Sequence, residues 1–118
     1  MIVINLADHN DFITEVLLDG QVYFLHFGWN SEWRQWEMGI ENTRNERIIA
    51  GVPVNPFTDI LGAYRRLAIP QGAFIVLLEN GDTLGRQSFV TGLASLIYLT
   101  AEELDNANGN LVQALLRD

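Results

Sequence analysis

The side chains that could perform acid–base or metal chemistry are few and widely separated along the chain. There are two histidines and no cysteine. His9 lies in a polar run, and His26 lies among aromatic residues of a candidate strand. Their spacing does not match a metal-ligand pattern, and the lack of cysteine excludes disulfides and thiolate metal sites. We expect His9 to be an exposed loop residue and His26 a partly buried strand residue with a partner for its ring nitrogen.

The acidic residues give an equally weak signal for a site. Asp8, Asn10 and Asp11 resemble a fragment of a calcium loop, but the glycine and the distant bidentate glutamate of such loops are missing. A small hydrolase that uses Asp8 and Asp11 is one hypothesis for the function, the third in order of support. The glycines do not form a phosphate-binding fingerprint, and no serine lies in a nucleophile-elbow pattern. The sequence therefore predicts no enzyme activity, no metal and no cofactor.

Tryptophan and arginine are the residues best suited to contact a partner. Three tryptophans fall within eight residues. Either Trp29 and Trp36 pack across a hairpin with Trp33 at its turn, or Trp33 anchors a partner, since Trp and Arg are enriched at interface hot spots. A pair of adjacent arginines further along the chain either anchors a partner or solvates a loop. The candidate interface residues are Trp33, Arg34, Tyr64, Arg65 and Arg66.

Composition limits the class of protein. The 118 residues suit one domain, and the 48% apolar content suits a folded one. Fifteen acidic and seven basic residues give a net charge of −8, so binding to a nucleic-acid backbone is not expected. All the basic residues are arginine, which reflects either genome bias or the better pairing of arginine at interfaces. No apolar run approaches the ~20 residues of a membrane span, and the first residues lack the basic region of a signal peptide. We therefore expect a soluble protein that is made inside the cell.

The apolar residues recur mainly with a period of two, which predicts strands. Asp19-Gly20 is a strong hairpin signal because both residues tolerate positive φ. The strand that follows has two apolar faces, so we expect it to be central and covered on both sides. A polar turn is expected at residues 42–45. The expected strands cover residues 2–6, 12–18, 21–29, 34–41, 46–54, 72–79 and 93–99.

The remaining segments are expected to be turns, loops and a helical end. Residues 55–72 are irregular, and a helical turn is expected at 58–63 with Thr58 as its cap. Residues 80–82 are expected to form a turn, and residues 83–92 a loop. Thr100 and Glu103 form a capping-box pattern at the start of a helix. We predict a mainly β fold, an antiparallel sandwich or small barrel of about seven strands over residues 1–100, with a C-terminal helical tail over residues 101–118.

The order of these features resembles the cyanophage-type baseplate plug family of tailed phages. The resemblance spans about residues 2–100. It includes the Leu-Asp-Gly-Gln-Val-Tyr hairpin of residues 18–23 and the Trp-Glu-Met of residues 36–38. The segments that contribute most to the resemblance are Gly-Val-Pro-Val at 51–54 and the residues from Tyr64 to Gly72. The family tends to have a glycine in the turn near residues 42–46, whereas this chain has Asn-Thr-Arg-Asn.

The resemblance implies a virion structural protein without catalytic activity in the tail baseplate of a contractile-tailed phage, made in the host cytoplasm. It implies a place on the tail axis beside hub, spike and tube proteins, and contacts between copies in a three-fold or six-fold ring. The acidic charge would suit a wall past which DNA slides. The alternative function is a small monomeric β-barrel that binds a ligand or protein through a groove beside Trp33 and the 55–72 loop.

Overall fold

The computed structural model describes residues 1–79 and 83–117, and the turn predicted at 80–82 lies outside them. Seven antiparallel strands in the described residues form two sheets, which confirms the mainly β prediction. The sheets do not close into a barrel. The four-stranded sheet has the order β2-β3-β4-β5, and the three-stranded sheet the order β1-β7-β6. The strand bounds are β1 Ile2–Ile4, β2 Asp11–Leu18, β3 Gln21–Asn30, β4 Gln35–Glu41, β5 Arg47–Pro53, β6 Ala73–Leu78 and β7 Ala94–Leu99.

Two tight turns fix the register of the four-stranded sheet. Asp19 and Gly20 adopt φ of 51° and 78°, so the predicted hairpin is confirmed, and Leu18 pairs with Gln21. In the turn after β4, the Asn42 side chain accepts the amides of Arg44 and Glu46 at 2.9 and 3.0 Å. Asn45 takes the left-handed position with φ of 59°. The turn therefore forms without glycine because asparagine tolerates that conformation.

The main core lies between the two sheets. Alternate residues of β3 and β4 point into it, and β6 and β7 contribute from the opposite sheet, as expected for packed antiparallel sheets. The β3 strand is central, but only its Tyr23 and Phe27 face is fully buried; Val22 and Phe24 on the other face are partly exposed. The expectation that both faces are covered is wrong, because no further layer lies on that side within the described residues. Core residues from these four strands include Leu25, Phe27, Trp36, Met38, Ile40, Phe74, Val76, Leu96 and Tyr98.

Three short α-helices accompany the sheets in the part of the chain that the structure describes: α1 at Ser88–Thr91, α2 at Ala101–Asn106 and α3 at Leu111–Arg117. The first replaces part of the loop predicted at 83–92. The capping box at Thr100 is confirmed, because the Thr100 hydroxyl accepts the Glu103 amide at 3.1 Å and the Glu103 carboxylate accepts the Thr100 amide. The last two helices pack on the outer face of the three-stranded sheet. This second core includes Ala73, Ile75, Ile97, Leu99, Ala107 and Ala114.

The long segment between β5 and β6 differs from its prediction. A 3₁₀ helix forms at Gly62–Tyr64, later than the helical turn predicted at 58–63. Thr58 does not cap it, because its hydroxyl donates to the Asn55 carbonyl at 2.9 Å. A local side-chain bond of this kind competes with capping. No helix among the described residues is long and apolar enough to cross a membrane.

Candidate functional site

The first candidate pair, Trp33 and Arg34, forms the tip of the β3–β4 hairpin. The Asn30 side chain accepts the amides of Glu32 and Trp33, each at 3.1 Å, which holds the turn. Arg34 has φ of 51°, so the chain reverses at this residue. Trp33 is 75% exposed and projects from the tip. The turn therefore presents a large aromatic side chain to solvent at the tip of a hydrogen-bonded hairpin.

The other two tryptophans lie in the body of that hairpin. Trp29 and Trp36 are cross-strand partners, with ring centroids 5.5 Å apart in an edge-to-face arrangement. This confirms the interpretation that they pack across the hairpin. The Arg86 guanidinium lies 5.4 Å from the Trp36 ring centroid and forms an ion pair with Asp8 at 3.1 Å. A cation held over an aromatic face is attracted to the ring. Trp29, Trp36 and Arg86 therefore stabilise the body of the hairpin that carries Trp33 at its tip.

The second candidate group, Tyr64 to Arg66, lies on the 3₁₀ helix and just after it. Arg65 is tied inside its own loop: its guanidinium donates to the Gly72 carbonyl at 2.9 Å, to the Gln71 carbonyl and to the Asp59 carboxylate. Arg66 is exposed and donates only to the Ala63 carbonyl, at 3.2 Å, among the described residues. The two arginines therefore have different surroundings: Arg65 shapes the loop, and Arg66 faces solvent.

The structure does not bring the two candidate groups together. Loop residues 67–71 line a cleft of about 710 Å³ with Tyr23 and Asn42, at the start of β3. Trp33 lies beyond the other end of that strand. Tyr23 and Trp29 are separated by six residues, or about 20 Å of strand. A single partner that touches both groups must therefore span the length of the hairpin.

Tyr98, Asp19 and Gly72 form a polar network next to this cleft that the sequence does not indicate. The Tyr98 hydroxyl donates to the Asp19 carboxylate and accepts the Gly72 amide at 2.8 Å. Burial, and then the hydrogen bond to Asp19, raises the pKa of Tyr98 above its ordinary value. Burial and the charge of Asp19 also raise the pKa of Tyr23. Asp19 carried only a turn signal in the sequence, and nothing indicated that its carboxylate reaches the opposite sheet.

The chain matches a known protein family over most of its length. A family model described as cyanophage baseplate Pam3 plug gp18 matches residues 1–102. The chain belongs to this baseplate plug family. The matched range contains all seven strands and the start of α2. No curated protein matches the chain. Membership makes the chain a structural component of the phage tail baseplate, and it confirms the family that the sequence resembles.

The histidines and aspartates considered for acid–base or metal chemistry do not lie together in one site in the described residues. His26 lies beside Glu41 in a side-chain pair, as expected for a strand histidine with a satisfied ring nitrogen. His9 is exposed. Asp8 pairs with Arg86, whereas Asp11 lines the small cleft next to His26. In residues 1–79 and 83–117, no three His, Asp or Glu side chains are grouped so that they could hold a metal ion.

Proposed function

We propose that the chain is a plug on the axis of the baseplate of a contractile-tailed phage, in contact with hub, spike and tube proteins. The observation that carries this proposal is the family match over residues 1–102, which includes every strand of the described fold. The match therefore concerns the whole β-sandwich and not a local motif. In this role the protein has no catalytic activity and its surface makes the functional contacts.

The surface is suited to assembly at two places. Trp33 stands 75% exposed on a hairpin whose base is held by the Trp29–Trp36 contact. Arg34 and Arg66 are exposed beside the candidate aromatic residues. Exposed aromatic and arginine side chains on a rigid support contribute strongly to interfaces because little entropy is lost on binding. We propose that Trp33, Arg34, Tyr64 and Arg66 contact neighbours, and that Arg65 shapes the loop that presents them.

The charge supports a position along the DNA path. The net charge is −8, and exposed carboxylates occur on the four-stranded sheet, in the turn after β3, just after β6 and on the helical end. They include Asp11, Glu15, Glu32, Glu79 and Glu102. An acidic wall does not retain a passing phosphate backbone. If these carboxylates instead pair with neighbouring chains and leave a neutral or basic lumen in the assembled ring, this part of the proposal is wrong.

Ring assembly is the direct test. The purified chain, alone or mixed with its hub protein, should form a closed three-fold or six-fold ring in sedimentation-velocity experiments and electron micrographs. Trp33→Ala should reduce assembly, whereas Trp33→Phe should retain most of it because an aromatic anchor remains. A chain that stays monomeric and ignores hub and tube proteins at high concentration would contradict the proposal.

A further inference from the structure

Three of the four sheet edges are short, covered or interrupted. The β1 edge has only three residues. The β6 edge is occupied by the preceding loop, because the Phe57 and Ile60 amides donate to the Val76 and Phe74 carbonyls at 2.9 and 3.0 Å. The β5 edge shows register irregularities against β4. It also contains Gly51 with φ of 69° and Pro53, which lacks an N–H. Such features prevent another chain from adding to a sheet.

The β2 edge has none of these protections. This strand has eight residues and pairs with β3 without interruption from Asp11 opposite Gly28 to Leu18 opposite Gln21. It contains no proline, glycine or lysine. A long, regular edge strand is a template for strand addition. Among the four edges in the described residues, only this one offers a full strand length.

One hydrogen bond shows which backbone groups of β2 point away from β3. The Trp29 amide donates to the Asn10 carbonyl at 2.7 Å, so Asn10 faces β3. Because the direction alternates along an antiparallel strand, every second residue after Asn10 also faces β3. The backbone N–H and C=O groups of the residues between them point away from β3, and these groups have no hydrogen-bond partner within the described residues. The outward-facing residues are Asp11, Ile13, Glu15 and Leu17.

The side chains along this edge define the partner. On the outer face, Ile13 and Leu17 are 56% and 64% exposed and alternate with two carboxylates. On the inner face, Phe12 and Val16 pack on the core but remain partly exposed. An added strand would therefore place apolar residues beside Phe12 and Val16 and basic residues beside Asp11 and Glu15.

A second copy of this chain fits the edge poorly. Pairing of two β2 strands would bring the acidic outer residues of both copies, Asp11 and Glu15, close together, and like charges on paired strands are destabilising. Antiparallel pairing of two β2 strands is also a two-fold contact, which does not by itself generate a three-fold or six-fold ring. Both arguments favour a different protein.

We infer that the β2 edge accepts an extended segment of another baseplate protein, in which basic and apolar residues alternate. This inference specifies one partner contact of the proposed baseplate function and rests on it. The added segment forms main-chain bonds to Ile13, Glu15 and neighbouring outward groups. Its basic side chains face Asp11 and Glu15, which makes binding dependent on salt.

Hydrogen exchange followed by NMR tests the geometry. The probe is a synthetic peptide that alternates arginine with valine and is long enough to span β2; a scrambled peptide of the same composition is the control. In the free protein, the amides of Ile13, Glu15 and Leu17 should exchange faster than those of Thr14 and Val16. The alternating peptide should slow the three outward amides, and the scrambled peptide should not. Absence of binding, or binding that leaves these amides unprotected, would overturn the inference.

A matched pair of variants separates main-chain pairing from charge. Glu15→Pro removes an outward N–H that β3 does not use, whereas Glu15→Gln removes the charge and keeps the N–H. We expect Glu15→Pro to bind the alternating peptide at least about tenfold more weakly than Glu15→Gln, since tenfold corresponds to about 1.4 kcal/mol, the scale of one or two hydrogen bonds. Both variants should retain the wild-type thermal transition. Equal affinities of the two folded variants would contradict strand addition.

The same samples distinguish this inference from the proposed function. A peptide with the sequence of residues 11–18 should bind more weakly than the arginine–valine peptide; equal or tighter binding would assign the edge to a second copy. Ring formation without edge binding would leave the baseplate plug proposal standing and remove the β2 inference. Edge binding by a chain that never forms rings, alone or with its hub protein, would contradict the baseplate plug proposal and leave the β2 edge as a strand-binding site.

Discussion

The amide of Gly72 donates a hydrogen bond of 2.8 Å to the Tyr98 hydroxyl, and that hydroxyl donates in turn to Asp19. Asp19 lies in the hairpin turn of the four-stranded sheet, whereas Tyr98 lies in β7 of the other sheet. The Asp19 carboxylate also accepts the Ala101 amide at 3.3 Å, at the start of α2. The Tyr98 hydroxyl and the Asp19 carboxylate together therefore connect both sheets and the start of the helical end.

Replacing Gly72 with alanine should strongly destabilise the fold. A Cβ built on Gly72 would lie 1.9 Å from the Leu99 carbonyl oxygen and 2.6 Å from the Tyr98 hydroxyl. The backbone must move to relieve these contacts, so we expect a loss of about 3 kcal/mol or more in the free energy of unfolding. Urea denaturation measures it. Gly28→Ala is the control, because a Cβ there meets nothing within 4 Å, and a comparable loss in that variant would contradict the explanation.

Tyr98→Phe should reveal the contribution of the hydroxyl. The ring would still fill its buried site, but the buried Gly72 amide would lose its partner, whereas the Asp19 carboxylate would keep the Ala101 amide. Unpaired buried polar groups cost about 1–3 kcal/mol, and we expect a loss of that size in chemical denaturation. Tyr64→Phe is the matched control, because the Tyr64 hydroxyl makes no hydrogen bond within the described residues; its stability should change by less than about 0.5 kcal/mol.

The stability of the protein should fall above about pH 10. The raised pKa of Tyr98 means that the folded state holds this proton at pH values where the unfolded state has released it. The stabilisation is complete below the ordinary tyrosine pKa of about 10 and decreases by about 1.4 kcal/mol per pH unit above it. The chain has no lysine, so few other groups titrate in this range. Denaturation curves from pH 9 to 12 should show a shallower decline in Tyr98→Phe than in the wild type; parallel declines would refute the assignment.

Truncation to alanine should lower the stability of the fold at Trp36 and leave it almost unchanged at Trp33. Trp36 is 2% exposed and packs against Phe12, Trp29 and Phe89. Trp36→Ala should cost about 3–5 kcal/mol in unfolding free energy because it leaves a large cavity. Trp33→Ala should change stability by less than about 0.5 kcal/mol, since its side chain is 75% exposed. Thermal denaturation of both variants, beside the assembly measurements, would show whether Trp33 acts only at an interface.

Arg65 and Arg66 provide a second matched comparison. Arg65→Lys keeps the charge but cannot reproduce the fork that reaches Asp59 and two carbonyl groups, so we expect a loss of about 1–2 kcal/mol. Arg66→Lys should be neutral for stability because Arg66 is exposed. If the two variants unfold at the same denaturant concentration, Arg65 does not hold the loop, and its interface role becomes the better explanation.

The local features were predictable because neighbouring residues determine them. The Asp19-Gly20 turn, the polar turn at Asn42 and the capping box at Thr100 each depend on backbone preferences over a few residues. The period of two also predicted the strand that contains Trp36, which packs against Trp29 as one of the two interpretations expected. By contrast, the sequence predicts a helical turn at 58–63, whereas the 3₁₀ helix lies at Gly62–Tyr64. A capping pattern does not show which local bond a hydroxyl will make, and the Thr58 hydroxyl donates to the Asn55 carbonyl.

By itself, the sequence determined a single acidic chain of about seven antiparallel strands with a helical end, and a resemblance to baseplate plug proteins. Period-two patterns and turn residues specify strands, but not which strands become edges. The tertiary structure decided that β2 has no partner on one side within the described residues, that Arg65 is bound within its loop, and that Tyr98 joins Gly72 to Asp19. These relationships join residues distant in the chain, and they arise only when the two sheets pack together.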